Sequence, residues 1–567
     1  MKENLEQALR GIAKELGIPE VAFSVEHPKE LSHGDYATNL PLVAAKQLGK
    51  SPKEIAELVK KKLLALGLSE VESVTVAGAG FVNITLTSAF FTSALAEILH
   101  TKEFGKNNSL AGKKVLIEYT QPNPFKPFHI GHLMSNSIGE SLTRIFEWSG
   151  AKVVRANYQG DVGLHVAKAI YGLMQKPMPE KLAAGSIAEQ AAYIGTCYAQ
   201  GSSLYDESAE AKQAIDAINK QVYDRSDESV NKLYEWGRKV TLLAFEGLYQ
   251  QLGTTFDHYF FESEMATVGL PLVQENKGNV FEESDGAIVF HAETYNPKLH
   301  TRVFITSAGL PTYETKELGL TKTKFETINP DLSIVLTAVE QVGVIQVVRE
   351  AVRLINPAWA EKMLHVTHGM MRFASGKMSS RKGNVITGES LLRDAEKAVL
   401  EKMQDRAMAA AERQQVAELV GTAAIKYSIL KQATGSDIVF DFEKSISFDG
   451  DSGPYLQYSV TRAKSVLAKA AALHMQSKVS GSEQVTVLEK LLCRFPAVVM
   501  RVQAEREPHY LTTFLTELAS AFNAFYGAHQ IVGEGTEYQH RLAVTEAFVQ
   551  VMERGLWLLG ISVPEKM

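Results

Sequence analysis

The chain has 567 residues, 45% of them hydrophobic and 22% charged, with a formal net charge of −6. That length and balance predict several folded domains around a large core, and the slight acidic excess gives no general signature of nucleic-acid binding, so any RNA surface is local. No apolar run reaches the roughly 18 residues that span a bilayer, Met1-Lys-Glu-Asn-Leu-Glu lacks a signal-peptide core, and Cys197 and Cys493 form no metal-binding pair; the expectation is a cytoplasmic protein with no membrane partner and no protein-bound metal.

Leu5, Ala8, Leu9, Ile12 and Leu16 share one helical face, which Gly17 and Pro19 terminate. Ser51-Pro-Lys-Glu54 has the pattern of a capping box with proline at the first helical position, and the helix it opens buries Ile55, Leu58, Val59 and Leu63. Val74 and Val76 alternate like a strand, as do Val82, Ile84 and Leu86. Region 1–110 is therefore a small α+β domain, in which His33-Gly-Asp-Tyr-Ala-Thr38 and Gly78-Ala-Gly-Phe-Val-Asn83 read as turns and packing.

An apolar strand at 115–119 follows. It leads into Gln121-Pro-Asn-Pro-Phe-Lys-Pro-Phe-His-Ile-Gly-His132 and then a helical pattern carrying Ile138, Leu142, Ile145 and Phe146. His129 and His132 thus fall where a strand becomes a helix N-terminus. Unpaired backbone N–H groups and the positive dipole end favour phosphate there, Gly131 permits a close approach, and imidazoles can donate to phosphate oxygens. A second strand at 153–157 completes a βαβ unit and delivers Asn157-Tyr-Gln-Gly-Asp-Val-Gly163 to a strand end, where open α/β sheets bind ligands. From about 167 to 253 the pattern is helical and resembles an insertion between two halves of a nucleotide fold. Asp285-Gly-Ala-Ile-Val-Phe290 predicts a hairpin turn and strand, Gly309-Leu-Pro-Thr-Tyr-Glu-Thr-Lys-Glu317 opens a helix, and 333–336 is a strand leading to Gln341. Gly376-Lys-Met-Ser-Ser-Arg-Lys-Gly-Asn384 is basic and rich in hydroxyls, suited to neutralising a departing pyrophosphate. Beyond it, apolar spacing predicts helices at 389–403, 407–430, 455–473, 511–526 and 542–559, a helical bundle.

Together the two motifs resemble the His-Ile-Gly-His and Lys-Met-Ser-Lys-Ser signatures of class I aminoacyl-tRNA synthetases. The wider context, including Arg155-Ala-Asn-Tyr158, Gly453-Pro-Tyr-Leu-Gln-Tyr458 and the ending Leu559-Gly-Ile561, is similar to the arginyl-tRNA synthetases nearly end to end. The resemblance implies a multidomain chain: an α+β N-terminal domain (1–110) that reaches tRNA, an α/β Rossmann-like catalytic domain (111–390) with its helical insertion, and an all-α anticodon-binding domain (391–567). It implies ATP-dependent ligation of L-arginine to its tRNA through an arginyl-adenylate, with Mg²⁺ expected beside ATP. Lys126, His129, His132 and Lys377 would be catalytic. His129, Gly131, His132, Met370, Lys377 and Ser379 would hold ATP. Asn123, Glu262, Tyr313, Glu317 and Gln341 would hold arginine, whose planar fork of donors pairs with carboxylates.

The sequence departs from the family pattern at Glu317 (usually Asp), Met134 (often Arg), His368 (usually Phe) and Ser380, which stands where the general class I signature has its second lysine. Lys126 is placed to supply the missing cation. A related adenylate-forming transferase with a small-amine acceptor, or a silent RNA-binding paralogue, are the rival readings; the long flanking domains and the intact Lys126, His129, His132 and Lys377 oppose them. No obvious oligomerisation seam is legible, so a monomer is expected.

Overall fold

The computed structural model of the chain describes residues 1–18, 20–374, 386–404, 406–481 and 484–567. They form two compact units, one made of Met1–Gly105, Arg462–Pro496 and Glu517–Met552, the other of Lys106–Thr461, Ala497–Thr516 and Glu553–Met567.

The first unit contains an antiparallel four-stranded sheet in the order Val25–Glu26, Tyr36–Thr38, Phe81–Leu86, Val71–Ala77. Helices Lys2–Glu15, Leu40–Leu48 and Pro52–Ala65 share its core through Leu5, Leu9, Ile12, Leu40, Ile55, Val59, Val82 and Ile84. The capping box forms as the sequence predicts: the Glu54 amide donates to Ser51 Oγ at 3.3 Å, and the Ser51 amide donates to Glu54 Oε2 at 2.9 Å. Asp35, read from sequence as a turn residue, is buried. It accepts from the Leu86 amide at 2.8 Å and pairs with Lys490 Nζ at 2.9 Å. Lys490 is 455 positions away in the chain, so no local pattern announces the pair.

The second unit is built on a five-stranded parallel sheet. Its order is Met363–His368, Leu332–Ala338, Lys114–Glu118, Lys152–Gln159, His258–Phe261. Numbered along the chain, that is the doubly wound order 5-4-1-2-3, with the switch point between Lys114–Glu118 and Leu332–Ala338. Helix Ile130–Trp148 leaves the first strand and is buried along most of its length. The Asp285-Gly286 turn forms between strands Glu282–Ser284 and Ala287–Phe290, both turn residues having positive φ.

The helical insertion is present as Leu164–Gln175, Glu180–Ala183, Ile187–Glu207, Ala209–Asp224 and Glu228–Gln251. Its place in the sheet differs from the expected one. It lies inside the first half of the fold, before the third strand, His258–Phe261, rather than between the halves. That strand is only four residues long and aromatic on both faces, so it carries no alternation to betray it. The connection that crosses between the halves holds the antiparallel strands Glu282–Ser284, Ala287–Phe290 and Arg302–Ile305 instead. The predicted helices downstream appear as Gly388–Lys402, Ala410–Leu430, Gly453–Ala472, His509–Ala528 and Thr536–Leu558, joined by the unpredicted Val487–Leu492 and Phe495–Glu505.

Candidate active site

The ends of all five parallel strands open toward one crevice, because a parallel sheet places every C-terminus on the same edge. At the switch point His129 caps helix Ile130–Trp148. Its Nδ1 accepts from the Gly131 amide at 3.1 Å, and its own amide donates to His132 Nδ1 at 3.2 Å. With both Nδ1 atoms acting as acceptors, each neutral ring carries its proton on Nε2 and can offer it to an anion. The two rings stack at 3.5 Å between centroids. A Cβ on Gly131 would lie 3.0 Å from the His129 ring, so glycine there makes room first of all for that ring.

His129 is open at the surface yet set deep enough among protein atoms, beside Lys126 and His368, that its pKa falls to about 4. His132 is buried, and its pKa is driven well down by desolvation and then by His129 and Lys126. Both are thus neutral donors at pH 7. Lys126 Nζ lies 5.4 Å from the centre of the Tyr198 ring, and burial followed by repulsion from Lys168 lowers its pKa. His368, at the end of Met363–His368, is buried with Nδ1 2.9 Å from the Gly369 carbonyl oxygen. Met134 is buried in the helix. Met370 is exposed beyond the fifth strand, its amide donating to Asp437 Oδ1 at 2.9 Å. Gln341 ends the turn Val339–Gln341 that follows the fourth strand. Lys377 and Ser379, with the whole 376–384 motif, lie outside the described residues.

Asn123 and Glu262 meet over Gly160. The Gly160 amide donates to Asn123 Oδ1 at 3.1 Å, and a Cβ on Gly160 would fall 2.6 Å from that oxygen and 2.9 Å from Glu262 Oε1. Glu262 is buried and ion-paired with Lys316. Burial raises its pKa and Lys316 pulls it back. Glu317 shares a hydrogen bond with the Tyr313 hydroxyl, one turn earlier in helix Tyr313–Thr327. Its pKa is pushed up to about 8, by burial first and by the nearby Glu118 second. Glu118, the last residue of the first strand, is ion-paired with Lys324. Tyr158 is 4% exposed, and its buried hydroxyl has no hydrogen-bond partner among the described residues. Burial raises the pKa of that hydroxyl well above the usual value, and the charges of Glu262, Glu317 and Glu118 push it the same way.

Residues 94–442 match the family model "tRNA synthetases class I (R), catalytic domain", 1–86 match "Arginyl tRNA synthetase N terminal domain", and 456–567 match "DALR anticodon binding domain". The chain belongs to the class I arginyl-tRNA synthetases. An arginine–tRNA ligase of Clostridium perfringens is 31% identical over 100% of this chain and 98% of its own, and one of Halothermothrix orenii is 30% identical over 100% and 99%. The solved arginyl-tRNA synthetase of Thermus thermophilus superposes with a TM-score of 0.82 at 25% identity over the full length of both chains. That of Plasmodium falciparum shares the fold, with a TM-score of 0.77 at 18% identity over 100% of this chain and 99% of its own. As a member of this family the chain charges arginine onto tRNA and uses ATP to do so.

Sequence reasoning passed over Glu118, Lys316, Lys324 and His165. One of them carried a signal: Glu118 is an acid at the end of an otherwise apolar strand. Helix Tyr313–Thr327 buries Glu314, Thr315, Lys316, Glu317, Thr321 and Lys324, so it has no clean apolar face, and polar burial of that kind marks a site. His165 Nε2 lies 2.8 Å from the Gly160 carbonyl oxygen and has no counterpart in any motif.

Proposed function

We propose that this arginyl-tRNA synthetase holds its amino acid among Glu262, Glu317, Asn123, Tyr313 and Gln341 and its nucleotide at His129, Gly131, His132, Met370, Lys377 and Ser379. The observation that carries the arginine pocket is the surplus of buried carboxylate: Glu118, Glu262 and Glu317 are all buried and all act on the Tyr158 hydroxyl, and among the described residues lysines pair with two of the three. A buried anion without a cation is costly, so the pocket favours a substrate that brings one. A guanidinium brings five donors in a plane where an ammonium brings three around a point, which favours arginine over lysine.

In the first step an oxygen of the arginine carboxylate attacks the α-phosphorus of ATP, the bond from that phosphorus to the bridging oxygen breaks, and pyrophosphate leaves. Nε2–H of His129 and His132 donates to the phosphate oxygens as charge builds, and Lys126 and Lys377 supply cationic charge. In the second step the 3′-terminal ribose hydroxyl of tRNA attacks the arginyl carbonyl and AMP leaves. No side chain forms a covalent intermediate. Mg²⁺ would accompany the ATP phosphates and add positive charge there. Region 111–390 does the chemistry, 1–110 and 391–567 engage the outer parts of the tRNA, and the enzyme works as a monomer. Among the described residues no helix is long and apolar enough to cross a membrane.

Aminoacylation kinetics of Glu262→Gln and Glu317→Gln test the pocket. Removing one partner of a buried charged contact costs about 2–5 kcal/mol, so KM for arginine rises about 30-fold or more. An unchanged KM in both variants overturns the assignment.

A further inference from the structure

Counting charge in the arginine pocket leaves one carboxylate over. Lys324 neutralises Glu118 and Lys316 neutralises Glu262. Glu317, 5% exposed, has no ion-pair partner among the described residues, and its hydrogen-bond partner is the neutral Tyr313 hydroxyl. It lines a cavity of about 30 Å³ together with Lys324, Ser333, Arg349 and His365. That volume admits water. Among the described residues none of the three basic groups in the cavity wall reaches Glu317 as an ion pair: Lys324 is bound to Glu118 and acts on Glu317 only at longer range, Arg349 Nε donates toward the Ala360 carbonyl oxygen at 3.4 Å, and His365 Nε2 lies 2.8 Å from Thr337 Oγ1. The charged and titratable groups around Glu317 are Glu118 on the first strand, Lys324 on its own helix, Glu262, Tyr158 on the second strand and, across the cavity, Arg349 and His365; among the described residues none of the bases forms an ion pair with it.

We propose that arginine enters this pocket by exchange for a proton on Glu317. The O–H bond of the carboxylic acid breaks, the proton passes to a solvent base, and the guanidinium takes its place against the carboxylate. The exchange keeps the local charge constant. Without substrate the pocket holds Glu118 and Glu262 against Lys316 and Lys324, and Glu317 is neutral; with substrate one more negative charge meets one more positive charge. A guanidinium that arrived without expelling the proton would have only neutral or already paired groups to meet it, and burying it would carry its full desolvation cost. The high pKa of Glu317, raised by burial and by Glu118, agrees with this geometry. The proposal rests on the placement of Glu317 in the arginine pocket.

Calorimetric titration of the full-length protein with L-arginine at pH 7, in phosphate and in Tris, tests it, because the two buffers differ in ionisation heat. The wild type should release close to one proton per arginine bound. Glu262→Gln should release as many while binding more weakly, and Glu317→Gln should release none. Over pH 6 to 7 the wild-type Kd should tighten about tenfold, flattening above pH 8; this second readout decides the matter if Glu317→Gln binds too weakly to titrate. No proton release in the wild type, or release undiminished in Glu317→Gln, overturns the exchange. Glu317→Gln binding as tightly as the wild type overturns the pocket assignment itself, whereas weak binding by that variant with no release by the wild type overturns the exchange alone.

Discussion

His132 performs two tasks with one imidazole. Its Nδ1 accepts from the His129 amide and so helps close the helix N-terminus, which leaves the proton on Nε2, the donor that the proposed mechanism assigns to the phosphates. Asparagine at 132 can still accept from that amide but offers a different donor geometry. His132→Asn should therefore lower kcat for aminoacylation by about 10²- to 10³-fold with little change in arginine KM, the loss typical of one displaced transition-state donor. A kcat loss of that size in His132→Asn would agree; an arginine KM that rose with an unchanged kcat would contradict the role. The His-x-x-His spacing made both rings legible from the sequence. The stacking of the rings, the choice of Nε2 as donor and the nearness of His368 depend on neighbours brought from the far strand.

Among the elements, the insertion shows most clearly why glycine positions matter. Helices Leu164–Gln175 and Ile187–Glu207 cross with their backbones in contact at two points. A Cβ on Gly172 would lie 2.2 Å from the Cys197 carbonyl oxygen, and one on Gly201 would lie 2.0 Å from the Lys168 carbonyl oxygen. Neither obstacle is a side chain that can turn away, so the helices must separate. Gly172→Ala and Gly201→Ala should each cost about 1–3 kcal/mol, as overpacking does, and should expose the insertion to limited proteolysis; a control at Gly247, where a Cβ meets nothing within 4 Å, should not. Unchanged protease resistance in both variants would refute this tight crossing. The sequence displays glycines in a helical stretch as simple weaknesses. Only the crossing gives them a purpose.

At the scale of the whole molecule, half-buried neutral histidines contribute to the response to acid. Burial lowers the pKa of His27 and His365 to about 4 each and that of His165 to about 3. The unfolded chain titrates them near 6.5. Between those values the unfolded state binds more protons than the folded one, so stability falls as pH drops below about 6.5, and the loss is complete once pH passes below the folded values. At pH 5.5 each contributes a loss of about 1 kcal/mol relative to pH 7.5. Tm should fall over that interval, and His365→Asn, which retains a polar partner for Thr337, should show a shallower fall. A slope unaltered by the substitution would show that His365 takes no part.

The sequence by itself determined most of the helices, the Ser51 cap, the strand-to-helix turn at His129 and the family. Those rest on local spacing: Ser51 and Glu54 three residues apart, His129 and His132 at a strand-to-helix junction, and Asp285-Gly286 in a tight turn. Only the tertiary structure decided which charges oppose one another. Glu118 meets Lys324 and Asp35 meets Lys490 across separations that no periodicity encodes, and Glu262 finds Lys316 rather than an open solvent face. The surplus carboxylate at Glu317 emerges from the same long-range pairing, because a buried charge takes its meaning from whatever the fold places beside it.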